Sequence, residues 1–258
     1  MPAARTILPP LLALAAIVLV WEGITRALSV ERYLLPPPSA IALSAIQHRP
    51  ELFLATLITA RAALLGFGLS ALLGVLGGVL LGSSRTLERA LYPYAVFLQT
   101  VPIIAIAPLF VIWFGAGPRA VTLSAVIASV FPVIANTLAG IRSVEIPLRD
   151  LFRLYGASRR ATLLKLELPS ALPSIVTGLR VASGLAVIGT VVGEWVAGFS
   201  EDKAGLGILV LSSRHNLQTD LLFAAVLLAS ALGLALFGAV NLLGYLLLRR
   251  WHASEITR

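Results

Sequence analysis

The residues best placed to do chemistry lie between about 141 and 172. There basic, acidic and apolar side chains are interleaved as Ile-Arg-Ser-Val-Glu-Ile-Pro-Leu-Arg-Asp, then Leu-Phe-Arg-Leu-Tyr-Gly-Ala-Ser-Arg-Arg-Ala-Thr-Leu-Leu-Lys-Leu-Glu-Leu-Pro. Leu148, Leu151, Phe152 and Tyr155 recur at helical spacing before Gly156, and Ala161, Leu164 and Leu168 do so after it. Gly156 followed by Ala157 and Ser158 suits a break between two short helices, with Ser158 capping the second. Such an amphipathic helix-turn-helix either lies on anionic headgroups or docks into a partner's groove. That is binding chemistry. Covalent chemistry has little to work with, since His48, His215 and His252 are scattered without metal-ligand spacing, cysteine is absent, and no G-x-x-x-x-G-K-[ST] phosphate loop occurs. No catalytic or metal-binding residue is assigned, and a non-catalytic chain is expected.

The elements that position this loop are membrane spans. Of the 258 residues 58% are hydrophobic and 12% charged, against about 25% charged in a typical soluble domain. Too few charges remain to cover a soluble surface, which speaks against a soluble enzyme. Six apolar stretches are long enough to cross a bilayer, at roughly 7 to 28, 55 to 82, 90 to 114, 119 to 140, 173 to 197 and 218 to 248. The first also has the look of a secretory signal, but Trp21-Glu22 follows its apolar run instead of small residues, so an uncleaved anchor is expected.

The net charge of +8 reads as topology. With the amino terminus in the cytoplasm, the inner segments hold Arg5, Arg85, Arg89, Arg142, Arg149, Arg153, Arg159, Arg160, Lys165, Arg249, Arg250 and Arg258. The outer segments hold only Arg26, Arg32, Arg49, Arg119, Lys203 and Arg214, so both termini are expected inside and no nucleic-acid partner is needed to explain the charge.

Inside the spans, Gly66, Ser70, Gly74, Gly78 and Gly82 recur at every fourth position and make a stripe that admits another backbone closely, with Gly68 and Gly77 broadening the smooth face. Pro93, Pro102, Pro108 and Pro132 remove backbone donors and can kink the third and fourth spans around a cavity. Gln99, Thr100 and Asn136 are candidates to line a translocation path, or else to bond neighbouring helices, as are Ser124 and Ser129. Glu194, the one acid of the fifth span, is expected near its outer end, either lining a gate or snorkelling to the interface.

The spacing of Gly156, nine residues, then Leu166-Glu167-Leu168-Pro169 resembles the E-A-A-x3-G-x9-I-x-L-P signature of permease subunits of ABC importers. Ser170 to Arg180, Leu35-Pro36-Pro37-Pro38-Ser39 and Gly205-Leu206-Gly207 extend the likeness over nearly the whole chain. It implies an all-α integral membrane fold of about six transmembrane helices with a cytoplasmic coupling helix-turn-helix, similar to type I ABC importer permeases. Residues 1–54 would form an anchor helix and extracytoplasmic segment, 55–250 the permease core with coupling loop 141–172, and 251–258 a cytoplasmic tail. The resemblance implies coupling roles for Asp150, Arg153, Gly156, Ala157, Ser158, Arg159, Arg160, Leu166, Leu168 and Pro169. Asp150-Leu151-Phe152 departs from E-A-A, which keeps a carboxylate but enlarges two small positions.

The partners so implied are a second permease copy, two ABC ATPase subunits carrying ATP and magnesium, an extracytoplasmic solute-binding protein and the bilayer of a bacterial inner membrane. This chain itself would bind no cofactor. Gln99-Thr100-Val101-Pro102, Pro108-Leu109-Phe110 and Trp113-Phe114-Gly115 are similar to the branch importing nitrate, sulfonates and taurine, which also includes importers of thiamine pyrimidine precursors and riboflavin. A small anion is the leading expectation, with a neutral heterocycle as alternative. An ion-coupled secondary transporter would need midplane charges and an inverted repeat, and neither is apparent.

Overall fold

The computed structural model describes residues 2–197 and 204–248, with side chains from Leu8 onward. The carboxy-terminal tail 251–258, Lys203, Arg249 and Arg250, and the side chain of Arg5, lie outside the described residues. In chain order the helices are α1 (Pro2–Ala27), α2 (Pro38–Gln47), α3 (Arg49–Ser83), α4 (Arg85–Thr100), α5 (Ile103–Phe114), α6 (Pro118–Arg142), α7 (Ile146–Leu154) and α8 (Arg159–Thr162). A π turn (Leu163–Glu167) then leads into α9 (Leu168–Ala197), followed by α10 (Leu206–His215) and α11 (Thr219–Leu248).

Five stretches are long and apolar enough to span a bilayer: Leu8–Ala27, Arg49–Ser83, Pro118–Arg142, Arg159–Ala197 and Thr219–Leu248. The expected third span is instead a broken pair, α4 and α5, bent by 100°. The break has a local cause. Pro102 has no N–H to continue α4, and Val101 before it takes the extended conformation at φ −74° and ψ 123°, as residues preceding proline do. Counting the pair as one span restores six.

The core is built on α6, gripped from two sides. On one side the glycine stripe of α3 lies against it: a methyl at Gly74 would sit 2.7 Å from Val133 Cγ1, one at Gly78 2.9 Å from the Ile134 carbonyl, and one at Gly82 2.9 Å from Ile141 Cγ2. Ser70 continues the stripe by accepting the Ser129 hydroxyl at 2.9 Å. On the other side α9 approaches as closely. A methyl on Gly189 would meet the Ser124 carbonyl at 2.8 Å and one on Gly178 the Pro132 carbonyl at 2.9 Å. Backbones this near exchange dispersion contacts along their whole length, which is how helices associate where lipid removes the hydrophobic drive. Gly68 has open space around it and takes no part.

A second cluster gathers the end of the bundle remote from α7. Ile41 of α2, Leu52 and Ala55 of α3, Leu206 and Leu209 of α10, and Leu221, Ala224 and Ala225 of α11 are buried together there. Trp21 of α1 joins them against Phe223, ring centroids 5.7 Å apart.

Candidate functional site

The loop between α6 and α9 folds as its sequence indicates. Gly156 sits at φ +69°, a left-handed conformation that ends α7 at low cost only for a residue without Cβ. Its N–H donates to the Arg153 carbonyl at 2.9 Å. Ser158 then caps α8, its hydroxyl accepting the Ala161 N–H at 3.2 Å. The second helix does not end with the loop, however. It runs through the π turn into α9, so that Leu166, which is buried, and Leu168 and Pro169, both half-buried, form the root of a transmembrane helix.

The tip of the loop is open and its base is tied down. Ile146, Leu154 and Tyr155 are 73%, 85% and 84% exposed, large apolar surface left uncovered by the described residues. Asp150 and Arg153 are exposed and 3.5 Å apart, one turn along α7. Ala157 is half-buried, while Arg160 and Lys165 are exposed.

Arg159 is exposed like its neighbour Arg160, yet it is also tied within the chain. Its Nη2 donates to the Ser83 carbonyl at 2.9 Å and its Nη1 lies 3.6 Å from Glu167 Oε1. Arg149 approaches the same oxygen at 3.5 Å and donates to the Ile141 carbonyl at 2.6 Å. Beyond it Arg142, at the end of α6, pairs with Glu88 of α4, which Arg85 also approaches at 3.7 Å. Sequence reading missed Arg149, Glu167, Arg142 and Glu88 as a group. Their only signal was an acid in a segment otherwise apolar, Leu166-Glu167-Leu168, which a buried position must compensate.

The four residues considered for the translocation path are not brought together. Gln99 and Thr100 are exposed beside the α4–α5 break, and the Thr100 hydroxyl donates to the Phe97 carbonyl at 2.7 Å. Asn136 is half-buried on α6, with its amide donating to the Pro132 carbonyl at 2.8 Å. Glu194 lies near the far end of α9, about 39 Å from Leu168 at the usual helical rise. It neither snorkels nor faces an opening. Only 3% exposed, it accepts the Thr59 hydroxyl at 2.8 Å and the Gly207 N–H at 2.7 Å, while Thr59 accepts the Leu206 N–H at 2.8 Å. The two oxygens thereby cap the start of α10, where the chain after Gly205 would otherwise leave donors unpaired. Among the described residues no group of three or more His, Cys, Asp or Glu could hold a metal ion.

Comparison with known proteins decides what this bundle is. Residues 70–252 match the family described as binding-protein-dependent transport system inner membrane component. The chain belongs to that family. The permease is 36% identical over 235 residues to a probable ABC transporter permease protein of Haemophilus influenzae, covering 91% of this chain and 94% of that one. It is 37% identical over 242 residues to the formylaminopyrimidine transport permease protein ThiX of Halalkalibacterium halodurans, covering 93% and 95%. With the putative aliphatic sulfonates transport permease protein SsuC of Bacillus subtilis it shares 35% over 246 residues, covering 95% and 87%. Its fold is that of a chain in the inward-facing MetNI methionine ABC transporter, with a TM-score of 0.64 over 77% of this chain and 98% of that one at 17% identity. The chain is therefore an ABC importer permease subunit of type I fold. It is a multi-pass transport component and not an enzyme.

Proposed function

We propose that this permease forms the solute path of a bacterial inner-membrane importer and is driven through its α7–α8 loop by a separate ABC ATPase. The observation that carries the reading is the contrast within that loop. Leu154 and Tyr155 stand out at 85% and 84% exposure on a base held by Arg149, Arg159 and Glu167. An exposed apolar knob on an anchored base suits a cleft in a partner that moves. ATP and magnesium belong to that partner, and closure of two ATPase subunits would drag two such loops and shift the permease pair between inward-facing and outward-facing states. Asp150, Arg153, Gly156, Ala157, Ser158, Arg160, Leu166, Leu168 and Pro169 shape or present the loop, and Arg159 anchors it. A second copy of the chain fits the exposed apolar side of the broken pair, where Tyr94, Phe97, Ile112 and Trp113 stand uncovered.

A small organic anion such as a sulfonate or taurine leads as solute, supported by the sulfonate relative. A pyrimidine-like heterocycle is the second reading, favoured by the ThiX relative and by the lack of a dense ring of basic residues in the sequence of the spans. An extracytoplasmic binding protein would hold most of the selectivity. The test pairs two measurements. Co-purification with an ATPase and ATP-driven uptake are expected for the intact chain and lost on deletion of 150–169; uptake that survives the deletion would overturn the coupling role. Thermal-shift screening of the cognate binding protein against sulfonates, taurine, nitrate and pyrimidines separates the solutes.

A further inference from the structure

Glu167 occupies the position that the family signature leaves unspecified, between Leu166 and Leu168. It is 2% exposed, a carboxylate enclosed at the root of α9. Burying such a group is costly unless cations face it, and two do, one from each half of the loop: Arg149 of α7 at 3.5 Å and Arg159 of α8 at 3.6 Å. Each arginine has a second attachment, and the two are on different spans. Arg149 donates to the Ile141 carbonyl in the last turn of α6, and Arg159 to the Ser83 carbonyl at the end of α3. Both acceptors lie at helix carboxyl ends, where unpaired carbonyls and the helix dipole favour a cation. A single carboxylate thus ties the loop to α3, α6 and α9 together. Arg142 extends the tie to Glu88 on α4, at the foot of the broken pair.

The ties are not fully closed. Both ion pairs are long, and Glu167 Oε2 and Arg149 Nε make no hydrogen bond although both atoms are buried. Spare bonding capacity at the joint of three helices allows the arginines to change their grip as the loop moves. The π turn that holds Glu167 is itself a one-residue departure from α-helix of a kind frequent at functional sites.

We propose that Glu167 is the positioning residue that converts displacement of the loop into joint movement of α3, α6 and α9. It touches neither nucleotide nor solute. The inference rests on the coupling reading of the loop, and predicts that neutralising Glu167 separates ATP hydrolysis from transport while leaving the loop able to dock.

The experiment uses the whole importer in liposomes, permease with ATPase and binding protein, with uptake and hydrolysis measured on the same vesicles. For Glu167→Gln, assembly is retained and hydrolysis continues within about twofold, while uptake per ATP falls about tenfold, a usual size for coupling between sites. Glu167→Asp recovers part of that ratio. Should Glu167→Gln not reach the membrane, Arg159→Gln at the exposed side of the network lowers the same ratio by a smaller factor. An unchanged ratio in the variants that assemble overturns the proposal, as does loss of uptake and hydrolysis in equal proportion. Failure of the unaltered chain to retain any ATPase overturns the coupling reading beneath it, and is seen before a variant is compared.

Discussion

The Glu194 carboxyl group accepts the backbone N–H of Gly207 at 2.7 Å, joining α9 to the start of α10 at the end of the bundle remote from the loop. Thr59 of α3 completes the joint by donating to Glu194 and accepting from Leu206. The fit depends on glycine, since a methyl at Gly207 would lie 2.6 Å from the Val191 carbonyl. Replacing Glu194 by alanine leaves the Gly207 N–H and the Thr59 hydroxyl without their acceptor, with an expected cost of about 2 kcal/mol. Gly207→Ala is expected to cost at least as much. Thermal unfolding of the purified permease in detergent checks both, and equal melting of all three proteins would show that α10 is held by something else.

The α3 stripe makes a graded prediction. Gly78→Ala pushes a methyl to 2.7 Å from Thr137 Cγ2 and 2.9 Å from the Ile134 carbonyl, so α3 and α6 must separate, at about 1–3 kcal/mol. Gly68→Ala meets nothing within 4 Å and is expected to be neutral or to gain up to about 1 kcal/mol from helix propensity. Monodispersity and melting temperature of the two variants decide; similar losses in both would refute the packing account.

At the loop tip, Leu154→Ser together with Tyr155→Ser removes surface that none of the described residues covers. The permease alone is expected to fold and melt as before, whereas its recovery with the ATPase subunit in a pull-down falls several-fold. Unchanged recovery means that the partner grips elsewhere on the loop.

Gly156 adopts φ +69°, so Gly156→Ala should strain the turn by about 1–2 kcal/mol, and Gly156→Asn by less because asparagine tolerates that conformation. The order of ATP-driven uptake is expected to be glycine, asparagine, alanine. Alanine matching glycine would indicate that the turn rearranges in the working complex.

Because the chain has no cysteine, single labels report its topology directly. Ser158→Cys and Arg32→Cys both place an exposed thiol, at opposite ends of the bundle. A membrane-impermeant maleimide added to intact cells is expected to modify the cysteine at 32 and spare that at 158. The reverse pattern would invert the proposed orientation.

Much of this molecule was legible in the sequence because the signals are local. Apolar length announces a span, Gly156 and Ser158 announce a turn and a cap, and glycine every fourth residue announces a close helix contact, since each follows from the conformational or steric properties of a few neighbouring residues. The stripe was read without its partner. That α6 receives it, and is gripped by α9 on its other side, could be decided only by packing.

Charges behaved differently. Arg159 and Arg160 are adjacent and chemically alike, yet Arg159 reaches Glu167 and the Ser83 carbonyl while Arg160 stays in the open. Glu194 looked like a group at an interface and is a buried cap for a helix that begins beyond it in the chain. The amino-acid sequence by itself determined the apolar stretches, the loop and its hinge, whereas the break that divides the third stretch into α4 and α5 emerged only in the fold. Tertiary structure decided which charges meet, because an ion pair between α7, α8 and α9 or a carboxyl cap between α9 and α10 depends on helix crossings that bring distant residues within bonding range. Where burial makes an unpaired charge costly, those crossings select the partner, and sequence spacing carries no record of the choice.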